Sequence, residues 1–121
     1  MAWNNLSRWL WLGGAAFVAA IVVASLIPAP WQLRTGLHWL VEHFLAYFAV
    51  TSIFCLAWPR PLIVGAALML FSVGLEALQG LTPDRIPDLP TALSGAGGAL
   101  AAALAASLVI HAARLRGKQR A

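Results

Sequence analysis

The sequence predicts an all-α membrane protein, a bundle of four transmembrane helices with both termini cytoplasmic. Three observations predict it. Hydrophobic residues make up 61% of the 121-residue chain and charged residues only 10%, where a soluble domain carries about a quarter charged residues. The apolar residues fall into four runs, each near the ~20 residues that cross a bilayer as a helix. No run shows the strict alternation of a barrel strand. A single domain over residues 1–121 follows.

The first run, about 9–26, contains no charge and is closed by Pro28 and Pro30. Arg8 precedes it, as in a signal peptide. The run is long for such a segment, however, and Ile27-Pro28-Ala29-Pro30 is a poor cleavage site, so it is read as a retained span. The second run, about 37–58, is stopped by Pro59-Arg60-Pro61. The third covers about 62–80 and the fourth about 89–113. The lone cysteine, Cys55, lies within an apolar run and reads as a small buried apolar residue. Trp3, Trp9, Trp11, Trp31, Trp39 and Trp58 fall near run ends, as an interfacial aromatic belt does.

Charge placement sets the orientation. Four spans put both termini on the side of the loop that holds Arg60. That side carries six basic residues, Arg8, Arg60, Arg114, Arg116, Lys118 and Arg120, against Arg34 and Arg85 on the other. The positive-inside rule places the six in the cytoplasm. The net charge of +4 therefore describes a juxtamembrane tail suited to anionic lipid head groups, and nucleic acid is not implied as a partner.

This orientation gathers all four acidic residues, Glu42, Glu76, Asp84 and Asp88, on the extracytoplasmic half. At about 1.5 Å rise per residue, His43 and Glu76 sit roughly 6–9 Å below the outer helix ends, so direct contact between them is expected. Trp39, His43 and Tyr47 form one stripe on the second helix, and Ser72, Glu76 and Gln79 form another on the third. The two stripes are expected to face each other. On the fourth helix, Ser94, Gly98, Ala102 and Ala106 form a small-residue face, joined by Gly95 and Gly97. It permits close helix packing, within the chain or in a homodimer.

The polar residues allow three kinds of chemistry. Glu76 could accept hydrogen bonds from His43, Tyr47 or Arg85 and so hold helices together. The cluster could bind a polar or charged group at the outer leaflet. Glu76 or His43 could act as a general base. Metal and cofactor motifs are not legible: His38 and His43 do not share a helical face, and no P-loop pattern opens the fourth helix. Ser25 and Ser72 lie outside any nucleophile elbow.

These residues carry a resemblance. Ser25-Leu-Ile-Pro28, His43-Phe-Leu-Ala-Tyr47, Glu76-Ala-Leu-Gln79, Pro83-Asp-Arg85 and a small-residue fourth helix with Gly98 follow one another, over Ser25 to about Ala102, as in the VanZ-like family. That family is named for a teicoplanin-resistance protein and comprises small bacterial membrane proteins. The resemblance implies a multi-pass protein of the bacterial inner membrane that acts at the outer face on cell-envelope or lipid-linked material. It marks His43, Tyr47, Glu76, Gln79 and Arg85 as functional positions. The chain departs from the family at Trp39-Leu40, where Asp-Lys is common. It departs again at Thr91 and Gly95, where Asp and Asn are common. Asp88, in the same loop, is the candidate replacement for the missing aspartate. A small multidrug-type transporter is the first rival, but its class needs a carboxylate inside the first helix, which this chain lacks. An intramembrane lipid-modifying enzyme is the second, with a possible base and no clear nucleophile.

Overall fold

The computed structural model describes residues 4–32, 34–83 and 85–121. Trp3 and Asp84, both singled out above, lie outside the described residues. The chain forms α1 (Asn5–Leu26), a short 3-10 turn (Ala29–Trp31), α2 (Trp39–Ala57), α3 (Pro61–Gln79) and α4 (Leu89–Arg120). All four helices are long and apolar enough to cross a membrane. The all-α four-helix architecture is therefore as expected.

Two boundaries differ from the sequence expectation, each for a local reason. α1 begins at Asn5, not Trp9, because Asn4 caps it: Asn4 Oδ1 accepts from the Ser7 backbone N–H at 2.8 Å. α4 runs through the basic tail to Arg120, since Ala, Leu, Arg, Lys and Gln are good helix formers and no breaker intervenes. Its 32 residues span about 48 Å at the α-helical rise, well beyond the ~30 Å of a bilayer core. Lys118 and Arg120 in the final turn suit the negative end of the helix dipole. α3 and α4 each carry a proline in the first turn, where the missing N–H has no helical partner to lose.

Helices in lipid gain little from the hydrophobic effect when they meet, so close packing and polar contacts decide the arrangement. α4 packs against both α2 and α3, which touch each other only lightly. Its small-residue face makes this possible. Gly98 lies on the α2 backbone at Phe44, where a Cβ would press into the Phe44 carbonyl. Ser94 Oγ donates to the Leu40 carbonyl at 2.5 Å. Ala99, Ala102 and Ala103 are almost fully buried. The face is thus covered within the chain, and a homodimer through it would have to displace α2. Tyr47, Val50, Cys55, Val64, Leu68 and Ala99 form the core, with Cys55 buried as its apolar setting predicts.

α1 is peripheral. Only Gly14 of it is buried, against eight residues each in α3 and α4. It leans on α2 through Trp11 and Phe54, whose rings lie 5.2 Å apart, and does not reach α4.

Gly98→Val is expected to destabilise the bundle by about 2–3 kcal/mol, because the Phe44 backbone cannot move aside. Gly74→Ala, with nothing near its missing Cβ, is expected to be neutral or slightly stabilising. Thermal unfolding in detergent distinguishes the two.

Candidate functional site

The C-terminal end of α1 poses the first local problem. The last four carbonyls of a helix have no partner inside it, and Pro28 and Pro30 remove two nearby donors. Side chains from elsewhere supply the missing hydrogens. Gln79 Nε2 donates to the Ser25 carbonyl at 2.9 Å, Arg85 Nη2 to that of Ile27 at 2.6 Å and Gln32 Nε2 to that of Ala24 at 3.1 Å. Arg85 also brings positive charge to the negative end of the α1 dipole.

The N-terminal end of α4 poses the converse problem. Asp88 is the N-cap residue, yet its side chain makes no bond to the helix backbone. Glu76 Oε1 accepts from the Asp88 N–H at 2.7 Å, which sets a carboxylate at the positive end of the α4 dipole. Asp88 Oδ2 in turn accepts from Thr91 Oγ1 at 2.5 Å.

Between these two helix ends lies a cavity of about 450 Å³. α1 contributes Ile21, Ala24 and Ser25 to its wall. The α2 stripe of Trp39, His43 and Tyr47 faces it, as do Glu76 and Gln79 of α3. Arg85, Asp88 and Thr91 close the side formed by the loop before α4. All six residues expected to form a site, His43, Tyr47, Glu76, Gln79, Arg85 and Asp88, line this one space.

At the inner end, Tyr47 is buried beside Ser72, whose Oγ donates to the Ala92 carbonyl at 3.1 Å. Gly95 permits this junction: a Cβ there would meet two Tyr47 ring carbons at 3.0 and 3.1 Å and crowd Ser72 Oγ. His43 Nδ1 lies 2.8 Å from the Trp39 carbonyl. A carbonyl only accepts, so Nδ1 carries a proton, and Nε2 has no bond among the described residues.

One expectation is corrected. Glu76 does not bond to His43, Tyr47 or Arg85; its hydrogen bond goes to the Asp88 backbone, and Arg85 turns to Ile27. The reason is the packing order. α4 holds α2 and α3 through itself, so their polar stripes face a shared space instead of each other.

Several lining residues were not expected from sequence. Gln32 has the clearest signal, being the only amide side chain between α1 and α2, close to a helix end that needs donors. Arg34 and Glu42 also line the cavity, with Glu42 accepting from the Thr35 backbone N–H at 3.0 Å and its Oγ1 at 2.5 Å. Thr91, noted above only as a departure from a family pattern, is a lining residue bonded to Asp88.

No protein-family model matches the chain, and no curated protein or solved structure matches it either. The site offers the carboxylates of Glu76 and Asp88, each with an oxygen unbonded among the described residues, the guanidinium groups of Arg34 and Arg85, and the His43 imidazole. Among the described residues no hydroxyl or thiol bonds to His43.

Gln79→Leu and Arg85→Ala each leave an α1 carbonyl without its donor. Each is expected to destabilise the protein by about 1–3 kcal/mol. Hydrogen exchange in the last turn of α1 should rise in both variants, while Arg34→Ala, whose side chain bonds to nothing among the described residues, leaves it unchanged.

Proposed function

We propose that the protein is a VanZ-like multi-pass protein of the bacterial cytoplasmic membrane. In this reading its termini are cytoplasmic and its polar cavity opens at the outer face. The cavity holds the polar head of a membrane lipid or a lipid-linked envelope precursor. The observation that carries this is convergence. Six side chains from α2, α3 and the loop before α4, chosen from sequence alone, line a single cavity of about 450 Å³.

The cavity's position supports a lipid ligand. It lies at one end of a membrane-length bundle, between the loop after α1 and the loop before α4. Its wall mixes apolar side chains such as Ile21, Ala24 and Ala46 with charged groups. That mixture suits a molecule with an apolar tail and a polar head. The departures from the VanZ-like pattern also find a physical reading. Asp88 delivers a carboxylate bonded to Thr91, beside the position where that family often has Asp. Gly95 leaves room for the Tyr47–Ser72 junction, which a larger side chain would break.

Two outcomes test the reading. A cysteine at Thr35 is expected to react with a membrane-impermeant maleimide in intact cells, and one at Gly117 only after lysis, in a Cys55→Ser background; the reverse pattern overturns the orientation. Where deletion alters susceptibility to a glycopeptide or other envelope antibiotic, Glu76→Gln at equal expression is expected to reproduce most of the deletion effect. Wild-type susceptibility in Glu76→Gln would sink the site assignment.

A further inference from the structure

We infer that the cavity takes a zwitterionic head group bearing a phosphate and a primary ammonium, the ammonium between Glu76 and Asp88 and the phosphate at Arg34 and Arg85. This rests on the head-group reading above and names the chemistry of its ligand.

Glu76 carries the inference. Its side chain is among the buried groups, at 8% exposure, and lines the cavity. Oε1 takes the Asp88 N–H, while Oε2 has no hydrogen-bond partner among the described residues. Oε2 is open to the cavity, so a cation or donor entering there meets a carboxylate oxygen that has no protein partner among the described residues. Neither guanidinium bonds to it: Arg85 is turned to the Ile27 carbonyl, and Arg34 is an exposed residue of the loop after α1. Asp88 adds a second carboxylate whose backbone touches the first and whose Oδ1 is also without a partner among the described residues. A primary ammonium has three donors and can serve both carboxylates at once. A quaternary ammonium has none.

The lining excludes simpler ligands. A bare anion would meet the carboxylates of Glu42, Glu76 and Asp88, and a bare cation would meet Arg34 and Arg85. A ligand with both signs satisfies both groups, and like-charge encounters reject the rest. Among the described residues Arg85 keeps its remaining N–H groups after the Ile27 bond and Arg34 donates no hydrogen bond, so both guanidinium groups lining the cavity can donate to phosphate oxygens. An aminophospholipid and free phosphoethanolamine share this chemistry.

The test uses the purified protein in detergent, with lipid binding read by native mass spectrometry and thermal shift. Phosphatidylethanolamine is expected to bind about tenfold or more tightly than phosphatidylcholine or phosphatidylglycerol. Glu76→Gln keeps an amide oxygen for the Asp88 N–H and loses only the charge, so it is expected to abolish the preference without unfolding the protein. Arg34→Ala is expected to weaken all three lipids alike. Competition by free phosphoethanolamine assigns recognition to the head alone, and failure to compete with the preference intact assigns it to the membrane lipid; both support the inference. Equal binding of phosphatidylglycerol, or an amine preference that survives Glu76→Gln, overturns it. If lipids bind without amine preference and Arg34→Ala weakens them, the ammonium assignment falls and the head-group reading stands. If the folded protein binds no lipid, both fall.

Discussion

The structure depends on how two helix ends find their hydrogen-bond partners in a setting where water is scarce. α1 ends in carbonyls with no helical donor, and α4 begins with N–H groups with no helical acceptor. One short segment answers both. Gln79 and Arg85 reach the end of α1, and Glu76 takes the first N–H of α4. α1 packs through Trp11, Phe17, Val18 and Ile21, and these bonds fix its C-terminal end. The polar residues that stand out in an apolar chain are therefore first the groups that join its helices.

The cavity follows from the same arrangement. Small residues let α4 lie against the backbones of α2 and α3, and Gly98 brings it onto Phe44. With α4 as the shared partner, α2 and α3 have little reason to close on each other above Tyr47. Tyr47 and Ser72, both seated against Gly95, mark where they stop separating. α1, held by its end, covers the open side. A bundle with bulkier residues on α4 would close α2 onto α3 and lose the space.

Much of this was legible in the sequence, and the reasons are specific. Four spans are readable because charge is absent from long runs and Pro28, Pro30, Pro59 and Pro61 punctuate them. The residues of the cavity are readable because a polar group in an apolar helix must be answered by something, and Trp39, His43 and Tyr47 fall on one face. Their partners were not readable. Helical periodicity tells which way a side chain points and nothing about what stands opposite, so a contact between Glu76 and His43 was a reasonable expectation that α4 prevents. The site roles of Gln32 and Thr91 were not readable for a related reason. Each acts on a backbone carbonyl or on a neighbour's carboxylate, and such partners leave no periodic trace.

The two roles of the polar cluster are coupled. Glu76 uses one oxygen to start α4 and leaves the other toward the cavity; Arg85 uses one nitrogen to end α1 and keeps the rest among the described residues. A ligand that engages the free atoms of both ties the end of α1 to the start of α4, two helices that do not pack on each other. Binding there stabilises the folded arrangement by mass action. In the same way, anything that loosens α1 moves Arg85 and opens the wall that Gln79 and Ser25 form together. In a bundle this small, the residues that shape the cavity are also the residues that keep it closed on the α1 side. Substitutions among them must therefore be judged by charge-only changes such as Glu76→Gln, which leave the helix-end bond in place and alter only what faces the ligand.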